Sequence, residues 1–317
     1  MEYRNLGRSG LRVSAVGLGC NNLGRPGTAS ESAAGAAALV GAALDSGITL
    51  FDTADIYGAR FGLSEELLGA ALQGRRDEAI IATKFGHTGV AGDRPSWQDK
   101  GSRRYIRLAV EDSLRRLRTD HIDLYQLHTP DPHTPIEETL AALDELVREG
   151  KVRYLGSSNL AAWQVVEAEF LAREAGGSRF VSAQNEYSLL ARDAEKELLP
   201  VARRYGIGFL PYFPLYNGIF TGKYTSAGGP EDSRIMRQKR GLLETVPWDT
   251  IDRFAEFARA RGLTMLEATV GWLLAVRGLA SVIAGATTAE QVRQNAAAAD
   301  AWRPTPDEMA EVAGIFR

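Results

Sequence analysis

The segment Phe51-Asp52-Thr53-Ala54-Asp55-Ile56-Tyr57-Gly58 runs from an apolar, β-forming lead-in straight into two carboxylates and a phenol. A strand built only for packing would continue with apolar residues or close with Gly, Asn or Pro. A buried carboxylate without a partner is costly, so Asp52 calls for a cation or hydrogen-bond donors. Lys84 and His128 stand at the ends of two further apolar runs, 79–83 and 122–127. A carboxylate, a phenol, an ammonium and an imidazole together suit one reaction: protonation of a carbonyl oxygen by the phenol as hydride reaches the carbon. An ammonium beside the phenol stabilises the phenolate and is expected to lower the tyrosine pKa from its ordinary value of about 10. Asp52 would keep Lys84 charged, and a neutral His128 would orient the carbonyl oxygen. Asp55 is expected to be a turn residue.

Taken singly, each side chain has a packing role open to it. Lys84 could snorkel, His128 could be a satisfied core histidine, and Tyr57 could lie under a loop. Convergence argues for chemistry, and it needs a scaffold that brings separate strand ends to one rim. Short apolar runs at 15–19, 49–52, 79–83, 122–127, 152–156, 180–184, 208–212 and 281–283 alternate with helical patterns, each pair taking roughly thirty residues. No G-x-G-x-x-G follows any of them, since Gly17-Leu18-Gly19 lacks its third glycine. The expected fold is therefore α/β: a (β/α)8 TIM barrel, a single domain over 1–317, with an N-terminal β-hairpin at 3–13 and additional helices.

Helix ends support this reading. Thr134-Pro135-Ile136-Glu137 reads as a capping box with Pro at the first helical position, and Gly150 as the stop. Ile106, Val110, Leu114 and Leu117 share one helical face, which leaves Arg103, Arg107, Arg115 and Arg118 as a solvated one. Two long segments, 85–101 and 217–247, interrupt the rhythm and are expected to be functional or mobile loops. In such barrels the site lies at the C-terminal strand ends. Those ends read Asp52 with Tyr57 in the following turn, Lys84, His128, Ser157-Ser158-Asn159, Gln184-Asn185-Glu186, Tyr212 and Gly285-Ala286-Thr287.

Composition narrows the partners. With 44% hydrophobic and 24% charged residues the chain is an ordinary globular sequence, and a net charge of -3 provides no basic field for nucleic acid or an anionic membrane. Cys20, the lone cysteine, cannot form an internal disulfide, and the first residues lack the apolar core of a signal peptide, so a cytoplasmic location is expected. No apolar run reaches the length of a membrane span of about 18 residues. No metal site is expected.

The chain resembles the aldo-keto reductases over nearly its whole length. The resemblance rests on Gly17-Leu18-Gly19, Phe51 to Gly58, Thr83-Lys84, Asp123-Leu124-Tyr125-Gln126-Leu127-His128, Gly156-Ser157-Ser158-Asn159-Leu160, Gln184-Asn185-Glu186-Tyr187 and Thr221-Gly222-Lys223-Tyr224. It implies an NAD(P)H-dependent reductase on a (β/α)8 barrel, with a catalytic tetrad of Asp52, Tyr57, Lys84 and His128. It also implies that Ser158, Asn159 and Gln184 hold the nicotinamide carboxamide, that Tyr212 stacks on the nicotinamide, and that Gly19, Cys20 and Asn21 line its ribose. The family's common Tyr-Ser-Pro-Leu reads Tyr212-Phe213-Pro214-Leu215, so a backbone N–H must replace the hydroxyl at the pyrophosphate. Lys223 and Arg234 would reach the phosphates. At the adenosine end, Gly285, Thr287, Gln291 and Asn295 stand where many relatives have a cation nearby. Thr287-Thr288-Ala289-Glu290 reads as a capped helix start whose free N–H groups suit a 2′-phosphate. NADPH is expected, with NADH possible.

The substrate side should draw on the two long segments and the C-terminal tail, with His87, Trp97, Tyr216 and Trp302 as walls beside Tyr57 and His128. No cationic clamp for a phosphorylated substrate is evident, which favours neutral aldehydes, ketones or sugars. Two other readings stay open. One is an NAD-linked aldose or alcohol dehydrogenase on the same scaffold; the other is a barrel isomerase using Lys84, His128 and Glu186. The family resemblance also extends to a nonenzymatic channel subunit.

Overall fold

The computed structural model describes residues 1–90, 99–231 and 233–317. It opens with an antiparallel hairpin of β1 (Tyr3–Asn5) and β2 (Arg12–Ser14). The barrel then begins with β3 (Val16–Gly19), α1 (Ala33–Asp45), β4 (Leu50–Asp52), α2 (Leu63–Ala71), β5 (Ile80–Phe85) and α3 (Arg103–Leu117). It continues through β6 (Ile122–Leu127), α4 (Ile136–Arg148), β7 (Val152–Ser158), α5 (Ala162–Glu174), β8 (Phe180–Glu186), α6 (Leu198–Tyr205) and β9 (Gly208–Tyr212). After β9 come α7 (Arg234–Gln238), α8 (Leu242–Thr245), α9 (Trp248–Arg259), α10 (Met265–Ala275), β10 (Val282–Gly285), α11 (Ala289–Ala301) and α12 (Pro306–Ile315). Eight strands pair in parallel in the order β10-β3-β4-β5-β6-β7-β8-β9. The ring closes just ahead of β10, where Phe209 receives the Ala280 N–H (2.9 Å) and donates to Gly278 O (2.9 Å). Among the described residues no helix is long and apolar enough to cross a membrane.

Period-two alternation places the site. Val16, Leu18, Phe51, Ile81 and Tyr125 point outward into the core shared with the helices. Leu50, Ala82, Leu124, Leu210 and Ile283 point into the barrel and meet Leu6, Leu11 and Val13 of the hairpin, which plugs the bottom. Two residues further along the same inward faces stand Asp52, Lys84, Gln126 and Tyr212. The interior is thus apolar at the strand N-termini and polar at the C-termini. The hairpin tip fits only a glycine: Gly7 has φ +59°, and a Cβ there would lie 2.5 Å from Gly206 O.

Local readings of the sequence are corrected in two places. Pro135 is the N-cap of α4 and no side-chain capping bond forms there. Thr134 instead donates to Asp131 Oδ2 (2.9 Å), because Asp131 organises the preceding turn by also accepting from Gly101 N and His133 N. The segment 217–247 is no bare loop, since it contains α7 and α8. The outward arginines are placed as expected, with Arg103 and Arg107 reaching Glu145 of α4.

Under the turn that follows β4 lies a buried ion pair. Glu65 of α2 and Arg116 of α3 are 0% and 6% exposed and meet at 2.6 Å, and Thr83 Oγ1 donates to the other Glu65 oxygen at 2.6 Å. Arg116→Met strands the Glu65 carboxylate away from water and is expected to cost about 3–5 kcal/mol of stability. Urea unfolding checks this; a loss below about 1 kcal/mol would mean that water or another cation relieves Glu65.

Candidate active site

Lys84 is fully buried, and its ammonium has three protons to place. It donates to Asp52 Oδ2 (2.7 Å), Thr53 O (2.9 Å) and Tyr57 Oη (3.4 Å). The second Asp52 oxygen accepts from Gln184 Nε2 (2.8 Å) and Gln126 Nε2 (3.3 Å). Gln126 was not singled out by sequence as a site residue. Its signal was available: it follows Leu124 by two residues on the inward face of β6.

The turn carrying Tyr57 is tied to the strands beside it. Thr53 N donates to Ala82 O (2.8 Å), Asp55 N to Lys84 O (3.1 Å) and Ser64 N to Tyr57 O (3.0 Å). Asp55 is buried in this turn, and its carbonyl accepts from Gly62 N (2.6 Å), in keeping with a structural place.

Electrostatics follow from this burial. Desolvation works against the Lys84 charge, but Asp52 and Tyr57 outweigh it and hold the ammonium above its ordinary pKa. For Tyr57, burial pushes the pKa up, Lys84 opposes it, and the net shift is upward. That reverses the lowering expected from sequence. The phenol, half-buried on the cavity wall, is partly withdrawn from water, and its ammonium neighbour is shared with a carboxylate at shorter range. His128 is pushed down to about 2 by burial, with Lys84, His87 and Lys100 adding to the effect, so its imidazole is neutral. Its ring meets Tyr57 edge-on at 5.8 Å and His87 at 4.7 Å.

Above this cluster, a cavity of about 1250 Å³ opens at the C-terminal strand ends. That exceeds the roughly 300–1,000 Å³ of common small-ligand pockets and suits an elongated ligand beside a second, small one. The matching family model is that of the aldo/keto reductase family, over residues 15–317. The chain belongs to the aldo/keto reductase family. An uncharacterized oxidoreductase of Bacillus subtilis is 38% identical over 301 residues, covering 92% of this chain and 89% of its own. An L-glyceraldehyde 3-phosphate reductase of Escherichia coli K12 is 35% identical (98% and 91%), and a probable voltage-gated potassium channel subunit beta of Oryza sativa 34% (95% and 92%). This aldo/keto reductase is thus an NAD(P)H-dependent oxidoreductase with a (β/α)8 barrel.

Of the residues expected at the dinucleotide, all but Cys20 border the cavity. Cys20 is fully buried, and its carbonyl accepts from Ser64 Oγ (2.7 Å), so it serves the wall from behind. Gln184 turns its Nε2 to Asp52, leaving its Oε1 without a side-chain bond among the described residues. Asn159, by contrast, is spent on the protein: Nδ2 donates to His128 O and Ser158 Oγ (both 3.0 Å), and Oδ1 accepts from Tyr212 Oη (2.8 Å). Asn159 itself has a φ of +60°. Phe213, Tyr216 and Asn217 also have positive φ on the segment leaving β9, the kind of local strain that gathers at ligand sites.

The end of the cavity expected to meet phosphates is basic. Lys223 and Arg234 line the cavity with no ion pair among the described residues, and Arg234 Nε is buried without a hydrogen-bond partner. Phe213, which replaces the expected serine, lies under Arg234 (5.8 Å) and Lys239 (5.4 Å) as a cation–π platform. The start of α11 is less open than its sequence suggests. Gln291 Oε1 accepts from Thr287 N (2.8 Å) and Thr287 Oγ1 (3.1 Å), and Thr288 Oγ1 caps Gln291 N (3.3 Å). On the substrate side His87 borders the cavity beside His128, whereas Tyr216 and Trp302 do not. Tyr216 packs on the core, and Trp302 packs on Phe257 at 5.8 Å and crowds Gly271. Trp97 lies outside the described residues. Arg25 and Arg237, which also line the cavity, were missed because nothing in sequence joins the segment after β3 to α7.

Proposed function

We propose that this reductase converts an aldehyde, ketone or keto-sugar carbonyl to the alcohol with Tyr57 as general acid and NADPH as the preferred donor. The observation that carries this reading is the Lys84 ammonium held between Asp52 and Tyr57. When bound, the dinucleotide supplies the hydride. Ser158 and Gln184 would hold its carboxamide, Tyr212 would face its ring, and Lys223 and Arg234 would meet its phosphates. Tyr57 Oη gives its proton to the carbonyl oxygen, and Lys84 stabilises the charge left on the phenolate. Asp52 keeps Lys84 protonated, and neutral His128 orients the carbonyl oxygen.

The upward shift of Tyr57 favours reduction over oxidation near neutrality. An acid must hold its proton, and with a pKa above its ordinary value Tyr57 holds it through the neutral range. Reductive kcat/KM is expected to stay flat between about pH 6 and pH 9 and to fall only above about pH 10, while alcohol oxidation rises with pH. His128 contributes no step in this range, because its pKa is about 2. A pH–rate profile with a reductive decline centred near pH 7 would contradict the assignment. The isomerase reading loses support, since Glu186 is exposed and outside the cavity lining and Lys84 has all three protons committed.

Fluorescence titration with NADPH and NADH, followed by turnover on a small carbonyl panel, tests the reading. Both nucleotides are expected to bind. The turn at Thr287 and Gln291 offers a 2′-phosphate neutral donors and no cation, so the margin for NADPH should be under about a hundredfold. Binding of neither would overturn the proposal.

A further inference from the structure

Tyr212, Asn159 and Ser158 form a chain of hydrogen bonds along the cavity wall, and the chemistry of one atom fixes the direction of every bond in it. His128 O is a carbonyl and can only accept, so the Asn159 atom 3.0 Å from it must be Nδ2. The second Nδ2 proton goes to Ser158 Oγ (3.0 Å), which exhausts that nitrogen. Oδ1 then faces Tyr212 Oη at 2.8 Å, and the phenol must donate. Burial, then the charge of Glu186, raises the Tyr212 pKa, so the hydroxyl keeps the proton it donates. Open valences remain on three side chains. Ser158 Oγ accepts from Asn159, and its own proton has no acceptor among the described residues. Gln184 commits Nε2 to Asp52 Oδ1 (2.8 Å) and keeps Oε1 without a side-chain bond among the described residues. Asn159 Oδ1 has a second lone pair. One donor and two acceptors on one wall are the complement of a primary carboxamide, which has a carbonyl oxygen and an NH₂ group.

We propose that the Tyr212 hydroxyl is a positioning group: it locks the Asn159 amide so that the wall keeps this donor–acceptor pattern toward the nicotinamide carboxamide. The ring gives the dinucleotide a face, and the hydroxyl separately sets which amide atom the dinucleotide meets. Without Oη, Oδ1 loses its side-chain donor, and rotation about the terminal amide torsion, which is soft, exchanges Oδ1 and Nδ2 at a lower cost. Turned over, Asn159 would offer a donor where the carboxamide also has donors, and His128 O would lose its bond. That last contact ties the pattern to the reaction centre, because it holds the backbone of the residue that orients the carbonyl oxygen. The inference rests on the dinucleotide reading above and adds to it a role for the phenol apart from facing the ring.

Calorimetric titration tests this by comparing NADPH with its reduced 3-acetylpyridine analogue, whose acetyl group keeps the carbonyl oxygen and lacks both N–H donors. It is run on the wild type, Tyr212→Phe, Asn159→Ala and the double variant. The wild type is expected to prefer NADPH by at least about fivefold. Tyr212→Phe, which keeps the ring, should weaken NADPH by about five- to tenfold and the analogue by less than about twofold, so that the preference collapses. Asn159→Ala should do the same, and in its background Tyr212→Phe should add less than about twofold, because both act through one amide. An equal loss for the two nucleotides would assign the effect to the ring and its packing, and would overturn the inference while leaving the dinucleotide reading intact. Unchanged NADPH binding by Tyr212→Phe, or losses that multiply in the double variant, would overturn it in the same way. Binding of neither nucleotide by the wild type would remove the dinucleotide reading and this inference together.

Discussion

Tyr57→Phe is expected to lower kcat/KM for carbonyl reduction by about 10²–10⁴, the usual contribution of a positioned general acid, while dinucleotide affinity changes by less than about threefold. The substitution removes one oxygen and keeps the ring that meets His128 edge-on at 5.8 Å. Lys84 keeps Asp52 and Thr53 O as partners, so the buried charge stays compensated. Stability should therefore fall by no more than about 1 kcal/mol. The loss should appear in kcat as well as kcat/KM, because proton donation acts only on the way to the transition state. Steady-state kinetics with parallel NADPH titration checks this. Unchanged turnover would remove Tyr57 from the mechanism, and a loss confined to KM would make it a binding residue.

Lys84→Met should be as damaging to turnover and far more damaging to the fold. Asp52 would keep its bonds from Gln126 and Gln184 but lose its counter-charge at a position 3% exposed. Breaking such a pair costs about 3–5 kcal/mol, mostly from the uncompensated charge. Asp52→Asn in the Lys84→Met background removes that charge and should restore most of the stability without restoring turnover. Urea unfolding and kinetics on the single and double variants separate the two effects. Equal stability of Lys84→Met and wild type would show that Asp52 is already neutral or hydrated in the folded protein.

Much of this arrangement was legible because strand periodicity is short and strict. Leu50 and Asp52, or Ala82 and Lys84, are two apart, so one inward face carries both barrel filling and chemistry. Gln126 was readable on the same rule. Arg25 and Arg237 were not, since their proximity depends on α7 folding back over the loop after β3, and neither segment has a pattern that reports the other. Tyr216 and Trp302 illustrate a different limit: a lone aromatic near a pocket-forming segment reads the same whether it faces ligand or core. The pKa of Tyr57 failed for a third reason. Sequence supplied the neighbouring ammonium but not the extent of burial, and burial sets the sign.

The mechanism turns on the protonation state of Tyr57, and NMR titration of the tyrosine ring carbons, with Tyr57→Phe to assign the resonance, reads it directly. Tyr57 is expected to titrate above the ordinary tyrosine value of about 10 in the wild type and higher still in Lys84→Met, where the opposing cation is gone. A wild-type midpoint near neutrality, or one that Lys84→Met leaves in place, would contradict this mechanism.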